Sequence, residues 1–250
     1  TIPLVYPDSG NWISVVDIPP TILHGGTNNP PTNDWLETLE WIKNNTPQDA
    51  VIASWWDYGY WITTMSDRTT LIDNATIFDS RIKHMASIFL SYPDEGWGML
   101  KEWDADYVVL FVAAQRLENY SNSGERLYVL GNGGDETKSQ WFIRIAGLPI
   151  QEYMYSDLRT INNNFLNNTL IGKMIPYSPI AYYDQINQQS WTEFRPGFIP
   201  LYVEDIKYNS DDDPLKFVYA SPSFNDEKSG STNVVLVYKI NKNYNPLNSE

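Results

Sequence analysis

Cysteine is absent from the 250-residue sequence, and histidine occurs only twice, as His24 and His84. The absence of cysteine excludes disulfides, thiol nucleophiles and cysteine-ligated zinc sites. The two histidines are too far apart in sequence for the short histidine motifs of zinc enzymes. His84 lies in the segment IKHMASIF, whose spacing favours one face of a helix over a catalytic role.

Basic residues are also scarce, since 17 Lys and Arg stand against 31 Asp and Glu, which gives a net charge of -14. This balance excludes nucleic acid as a partner and disfavours docking on an anionic membrane through charge alone. The longest apolar runs, such as VVLFVAA after Tyr107, are too short to span a bilayer. The chain opens with TIPLVYPDSG, without an initiator Met or a signal peptide, so we expect it to be a fragment of a longer protein.

Hydrophobic residues are plentiful, at 42% of the sequence, and predict a folded core. Residues 33–112 alternate between helical and strand patterns, which predicts a small α/β core around a partly parallel sheet. The expected elements are a helix capped by Asn33 or Asp34, a strand Val51–Ala53, a strand Thr70–Ile72, a helix from Asp79 to about Tyr92, a helix carrying Trp97, Leu100 and Trp103, and a buried strand Tyr107–Val112.

Residues 115–140 are polar and predict a loop, followed by a short helix from Trp141 to Ile145. The pattern of residues changes after about residue 150. Short β-rich segments then dominate, including Lys216–Tyr219 and Val234–Tyr238. The sequence therefore predicts an α+β (mixed α/β) fold with an extended lead-in over 1–32, an α/β core over 33–150 and a β-rich peripheral region over 151–250 packed on that core.

The segment SWWDYGYW, residues 54–61, surrounds a single carboxylate with aromatic rings at the expected junction between a strand and a helix. If Asp57 caps the helix, the rings are ordinary core. If the rings form a pocket wall, Asp57 accepts a hydrogen bond from a ligand, because strand ends and helix starts leave main-chain donors available. A pocket that pairs a buried hydroxyl rejects ligands that lack it.

Three further motifs are weaker. Asp104-Ala-Asp106 has the DxD spacing of metal-binding sugar transferases, but that spacing is common by chance. GNGGD at 131–135 lacks the residues that complete a phosphate loop, so a turn is favoured. Asp211–Asp213 predicts a solvated turn rather than a calcium site.

Trp55-Trp56-Asp57-Tyr58-Gly59 matches the WWDYG signature of the oligosaccharyltransferase catalytic subunit, the membrane enzyme of Asn-linked glycosylation. The surrounding blocks NDWLETLEWIKNNTPQDAVIASWWDYGYWI, DNATIFDSRIKHMASIF and DADYVVLFV also resemble this family, in the same order. Asp135 to Phe142 resembles a second motif, DxxKxxx(M/I), with Phe142 where Met or Ile is expected. The resemblance covers roughly residues 33–148 and is closest to the C-terminal soluble globular domain of the archaeal AglB type.

The resemblance implies that the chain recognises the acceptor sequon Asn-x-Ser/Thr. Trp55, Trp56 and Asp57 would form the pocket for the +2 hydroxyl, with Tyr58 and Gly59 shaping the turn. Asp135 and Lys138 would lie beside that pocket, within about 15 Å of the aromatic motif, and Phe142 would stand near the threonine methyl.

The family's transferase activity would belong to the full-length protein. A divalent metal (Mg or Mn) and the lipid-linked oligosaccharide would be bound by an N-terminal transmembrane part that this chain lacks, so the chain alone would be inactive. The expected location is a soluble domain on the extracytoplasmic face of a membrane. Four Asn-x-Ser/Thr sites in the chain itself, at Asn44, Asn74, Asn119 and Asn167, are compatible with that location.

Two other functions remain possible from the residues alone. A carbohydrate-binding module would stack its tryptophans on sugar rings, and a structural partner domain would bury them. Flat, exposed rings at Trp55 and Trp56 favour the first, full burial favours the second, and a cleft favours the hydroxyl pocket.

Overall fold

The computed structural model describes residues 20–27, 30–77, 79–117, 126–131, 133–226 and 230–246. Within these ranges nine strands form one mixed sheet, and helices pack against it. This confirms the expected α+β class. The strands are β1 (Val51–Ala53), β2 (Thr69–Thr70), β3 (Tyr107–Leu117), β4 (Leu127–Leu130), β5 (Tyr177–Asp184), β6 (Gln189–Trp191), β7 (Ile199–Glu204), β8 (Leu215–Ala220) and β9 (Gly230–Ile240).

The long apolar strand β3 lies at the centre of the sheet and is buried from Tyr107 to Ala114. One of its edges pairs with β9 in antiparallel register along almost its whole length. The other edge is shared, because β1 pairs in parallel with the start of β3 and β4 pairs antiparallel with its end. The parallel pairs β1–β2 and β1–β3 confirm the expected partly parallel sheet.

Eight α-helical segments lie within the described residues. They are α1 (Pro20–Leu23), α2 (Asp34–Asn45), α3 (Gly59–Trp61), α4 (Asp79–Leu90), α5 (Pro93–Glu102), α6 (Asp135–Ala146), α7 (Asn163–Asn168) and α8 (Leu170–Met174). The apolar faces of α2 and α5 pack against β9, while α6 packs against β3 and α4. Burial of these faces joins the helices and the sheet into one hydrophobic core.

Several sequence-based expectations need correction. Part of the expected lead-in is helical, since α1 lies within it, and residues 1–19 and 28–29 fall outside the described residues. Asn33 precedes α2, but its side chain makes no cap hydrogen bond. The carboxylate of Asp34 does not cap the helix either, because it accepts from the Ser223 amide and hydroxyl of a distant segment.

The expected loop over 115–140 is wrong in two places. β3 continues to Leu117, and β4 follows at Leu127–Leu130. Helix α6 then begins at Asp135, six residues before the expected start at Trp141, because its polar first turn is buried against the sheet. The polar residues from Asp135 to Gln140, the last part of the expected loop, therefore belong to a helix in which Asp135, Glu136 and Ser139 are buried.

Residues 151–250 are not confined to the periphery. β8 and β9 cover the expected segments Lys216–Tyr219 and Val234–Tyr238, but β9 lies beside β3 in the interior of the sheet. The short helices α7 and α8 precede these strands. The division of the chain into three regions stays a prediction. In the part of the chain that the structure describes, no helix combines the length and apolarity needed to cross a bilayer.

Candidate functional site

The site begins at a gap in the edge of β3. β1 pairs with this edge only as far as Val108, and β4 pairs with it only from Ala114 onward. Side chains from the start of α6 occupy the gap: the Asp135 carboxylate accepts from the Phe111 amide at 2.9 Å, and Glu136 accepts from the Ala113 amide at 3.4 Å. These carboxylates take the place of a neighbouring strand, because buried amides need acceptors.

Gly134 allows α6 to approach the sheet this closely. A Cβ atom at this position would lie 2.5 Å from the Ala113 nitrogen and 2.9 Å from the Phe111 oxygen. Any side chain here would push the first turn of α6 away from β3. The glycine therefore brings the DxxK motif, which begins at the next residue, against the sheet.

The aromatic motif follows the end of β1. Trp55 is extended, Trp56–Tyr58 form a 3₁₀ turn, and α3 continues into a π-helical turn at Ile62–Ser66. Asp57 makes no helix-capping hydrogen bond, so the cap alternative is wrong. The expected strand-to-helix junction is confirmed. Single π-helical turns are frequent at functional sites.

Asp57 and Asp135 are joined by Lys138 and Tyr58. Lys138 Nζ donates to Asp57 Oδ2 at 2.5 Å and to the Tyr58 hydroxyl oxygen at 2.7 Å. The Tyr58 hydroxyl in turn donates to Asp135 Oδ1 at 2.7 Å. The expected proximity of the two motifs is thus confirmed. The spacing of Asp135 and Lys138 explains the arrangement, because residues i and i+3 share one face of α6.

One oxygen of the Asp57 carboxylate is left without a protein partner. Oδ1 is buried and has no hydrogen-bond partner among the described residues, although Oδ2 is held by Lys138. The side chain as a whole keeps 27% of its surface exposed, so Asp57 lies at the protein surface although its Oδ1 atom is buried. A buried acceptor without a donor costs about 1–3 kcal/mol, which is a reason to look for a ligand that supplies the donor.

Burial governs the ionisation of the carboxylates behind Asp57. Desolvation raises the pKa of Asp135 to about 6, against the opposing effect of the Lys138 charge. Desolvation also raises the pKa of Glu136 to about 7. The pKa of the Tyr58 hydroxyl is raised well above its ordinary value, chiefly by burial and then by the Asp135 charge, so this hydroxyl remains a donor.

The two tryptophans of the motif have different environments. Trp55 is 3% exposed, and its ring lies 4.0 Å from that of Phe142, centroid to centroid. Trp56 is half-buried at the edge of the core. Neither is a flat exposed ring, so the observation that would favour sugar stacking at the motif is missing. The burial of Trp55 is the observation expected of a structural domain, whereas Trp56 is only partly buried. Phe142 has no exposed surface, and its expected contact with a threonine methyl stays a prediction.

Sequence reasoning missed Glu136 and the two amides of β3. Glu136 lies inside the quoted DxxK motif, but nothing marks it as buried, because a glutamate in the first turn of a helix is normally solvated. The run VVLFVAA identifies a buried strand. It does not show which amides of that strand lack a neighbouring strand. The gap between β1 and β4 is visible only in the tertiary structure.

The weaker motifs have structural partners. Asp104 and Asp106 both bind Lys242, at 3.2 and 2.6 Å, and Asp106 also accepts from the Val51 amide. The Asp213 carboxylate accepts from two amides of its own turn. Gly131 and Gly133 have positive φ angles, as in a turn, and Asn132 lies outside the described residues. Within the described ranges no three potential metal ligands cluster.

Comparison with known proteins gives a family match over the part of the chain that contains the aromatic motif. Residues 47–123 match the family model of the STT3/PglB/AglB core domain. The STT3B subunit of dolichyl-diphosphooligosaccharide–protein glycosyltransferase from Oryza sativa subsp. japonica is 35% identical over 115 residues, which are 46% of this chain and 14% of the relative. The STT3 subunit of the same enzyme from Saccharomyces cerevisiae is 31% identical over 153 residues, 57% of this chain and 19% of the relative.

The chain therefore spans less than a fifth of the length of these curated relatives. Among solved structures, the C-terminal globular domain of oligosaccharyltransferase from Archaeoglobus fulgidus matches with a TM-score of 0.45 and 17% identity, over 84% of this chain and 98% of that one. The family-model match and the two curated relatives confirm the resemblance to oligosaccharyltransferase catalytic subunits. Both curated relatives are eukaryotic.

Proposed function

We propose, from the premise that residues 47–123 match the STT3/PglB/AglB core domain, that this chain recognises the Asn-x-Ser/Thr acceptor for a membrane oligosaccharyltransferase. That enzyme would transfer a lipid-linked oligosaccharide to the acceptor asparagine. The observation that carries the proposal is the buried, unpartnered Oδ1 of Asp57 in a carboxylate whose other oxygen is fixed by Lys138.

The +2 hydroxyl of the acceptor peptide would donate a hydrogen bond to Asp57 Oδ1. Because Lys138 already holds Oδ2, the carboxylate need not reorganise when the hydroxyl binds. An acceptor without the hydroxyl would leave Oδ1 unpaired and desolvated. A hydrogen bond to a charged acceptor is worth about 1.5–3 kcal/mol, which is roughly ten- to a hundredfold in selectivity.

The remaining motif residues would surround and support the Asp57 carboxylate. Trp56, which is half-buried, would form the accessible wall of the pocket, and Trp55 would form its base, backed by Phe142. Asp135, Tyr58 and Lys138 would hold the Asp57 carboxylate in place through their hydrogen bonds. Phe142 would support the Trp55 ring from behind, and its expected position near the threonine methyl stays a prediction.

The transfer chemistry would be located outside this chain. The divalent metal (Mg or Mn) and the lipid-linked oligosaccharide would be bound by another part of the full-length enzyme, on the extracytoplasmic side of the membrane. Metal-assisted transfer would then require both parts, with this chain orienting the acceptor peptide. The isolated chain would bind acceptor peptides without glycosylating them.

The decisive experiment compares acceptor peptides that differ in a single hydroxyl. Peptides with Thr, Ser or 2-aminobutyrate at +2 would be assayed with the oligosaccharyltransferase that contains this chain. The wild type should prefer Thr over 2-aminobutyrate by about ten- to a hundredfold, because the latter lacks only the hydroxyl. Asp57→Ala should remove most of this preference, whereas Asp49→Ala, at an exposed turn, is the control. A preference that survives in Asp57→Ala would refute the proposed role.

A further inference from the structure

Asn74 makes two hydrogen bonds to the backbone of the aromatic motif. Its Nδ2 donates to the Asp57 carbonyl oxygen at 3.0 Å, and its Oδ1 accepts from the Tyr60 amide at 3.1 Å. A single side-chain amide therefore bridges two backbone groups of the turn that contains Asp57. Neither motif match draws attention to this residue, which lies 17 positions after Asp57.

The segment that carries Asn74 lies directly against the motif. A Cβ atom on Gly59 would lie 2.5 Å from the Asp73 Cα and 2.6 Å from the Ile72 oxygen, so only glycine permits this contact. The position of Asn74 is also fixed locally, because Asp73 Oδ1 accepts from the Ala75 amide at 2.8 Å. The segment that contains Asn74 and the segment that contains Asp57 are thus in close backbone contact, and the Asn74 amide bridges them.

We infer that Asn74 is a positioning residue that fixes the orientation of Asp57. The Asp57 carboxylate projects from a short 3₁₀ turn, which has weaker internal hydrogen bonds than an α-helix. The Asn74 bonds to the Asp57 carbonyl and to the Tyr60 amide, both on the C-terminal side of the Asp57 Cα atom, restrict rotation of that turn. Oδ1 then keeps its place when Lys138 Nζ holds Oδ2. This inference rests on the proposed recognition of the +2 hydroxyl.

Asn74 is also the first residue of the sequon Asn74-Ala75-Thr76, so a glycan on its amide is a competing explanation for any effect of its substitution. Asn44 and Asn167, in two other sequons, are exposed, whereas Asn74 is half-buried with both atoms of its amide engaged. Thr76 is exposed, so Thr76→Ala removes the sequon while leaving the Asn74 amide intact.

The experiment measures KM and kcat for an Asn-x-Thr peptide with the oligosaccharyltransferase that contains this chain. The variants are Asn74→Asp, which keeps the acceptor oxygen but loses the donor to the Asp57 carbonyl, Thr76→Ala and Asp57→Ala. Asn74→Asp should raise KM about fivefold to twentyfold and change kcat less than about twofold, since the metal and donor sites are untouched. Thr76→Ala should match the wild type. Partial misfolding lowers kcat per total enzyme without raising KM, so KM separates positioning from folding.

Three outcomes would overturn the inference. If Asp57→Ala raises KM but Asn74→Asp does not, the proposed function stands and the positioning role is wrong. If Thr76→Ala reproduces the effect of Asn74→Asp, the effect comes from a glycan rather than from the amide. If Asp57→Ala leaves KM unchanged, both the proposed function and the inference fail.

Discussion

Two clusters in this molecule each consist of two aspartates and one lysine, and they differ in their environment. Lys242 binds Asp104 and Asp106 near the end of β9, where Asp104 is 89% exposed. Lys138 binds Asp57 beside α6, where the pair is mostly buried and is backed by the fully buried Asp135. The exposed cluster has the more familiar metal-binding spacing. The buried cluster has the features of a binding site.

The difference lies in which acceptors are left unpaired. Both carboxylates of the exposed cluster contact Lys242, and Asp106 also accepts from the Val51 amide, so the cluster ties β9 to β1 and β3. In the buried cluster, one oxygen of Asp57 is desolvated and unpaired among the described residues. A buried acceptor without a donor is costly to maintain, whereas a solvated ion pair contributes little. On these grounds we expect the proposed site at the buried cluster rather than at the DxD pair.

The largest expected effect concerns pH and the buried carboxylate Glu136. Its pKa is raised by burial from 4.5 to about 7, so the folded chain keeps this proton at pH values where the unfolded chain loses it. The free energy of unfolding should therefore fall as pH rises from about 4.5 to 7, by up to about 3 kcal/mol from this group. Glu136→Gln should remove this part of the fall.

The measurement is urea unfolding of the chain at several pH values between 4.5 and 8. Asp135, with its pKa raised to about 6, should leave a smaller fall in the variant. Glu102→Gln, which changes an exposed carboxylate on α5, is the control. If Glu136→Gln has the same pH dependence as the wild type, Glu136 is ionised in the folded chain across this range. The carboxylates of the buried cluster would then differ less in pKa from those of the exposed cluster than the structure indicates.

The second expected effect compares the two lysines. Lys138→Met should cost about 2–3 kcal/mol of unfolding free energy, because it leaves Asp57 and Asp135 without their cation. It should also raise the pKa of Asp135 further, since the Lys138 charge now lowers it. Lys242→Met, in the exposed cluster, should cost less than about 1 kcal/mol. Chemical unfolding near pH 7 and carboxyl NMR titration would measure both quantities. Equal costs for the two substitutions would contradict the contrast between the clusters.

The sequence predicted the elements that have a continuous apolar run or a helical apolar spacing. Strand β1, helix α4 and the start of β3 appear where the apolar spacing indicated them. The sheet order could not be predicted, because β9 pairs with a strand more than a hundred residues earlier and nothing in either run specifies the other as partner. The start of α6 was missed because its buried residues are charged.

For the site, the sequence predicted which residues lie close together. It did not predict the hydrogen bonds between them. The order of the two motifs brought Lys138 and Asp57 together correctly. The hydroxyl of Tyr58, expected only to shape the turn, proves to link Lys138 to Asp135. Its role depends on the gap in the edge of β3, which places Asp135 beside it. Such a contact depends on three separate segments, so local pattern cannot reveal it.

The smallest expected effect tests this tyrosine against an exposed counterpart. Tyr58→Phe removes a buried hydroxyl that donates to Asp135 Oδ1, whereas Tyr244→Phe removes an exposed hydroxyl that donates to Asp94 Oδ1 at the same distance of 2.7 Å. Tyr58→Phe should cost about 1–2 kcal/mol, because Asp135 Oδ1 is left desolvated with only the distant Lys138 charge.

The exposed pair should behave differently, because water replaces the lost hydroxyl at Asp94. Tyr244→Phe should therefore cost less than about 0.5 kcal/mol, and thermal or urea unfolding of the chain resolves this difference from Tyr58→Phe. Tyr58→Phe should in addition raise the pKa of Asp135, because the hydrogen bond from Tyr58 now lowers it. If Tyr58→Phe costs no more than Tyr244→Phe and leaves the Asp135 pKa unchanged, the hydroxyl does not couple the two motifs. The Asp57 carboxylate would then be held by Lys138 without a link through Tyr58 to Asp135.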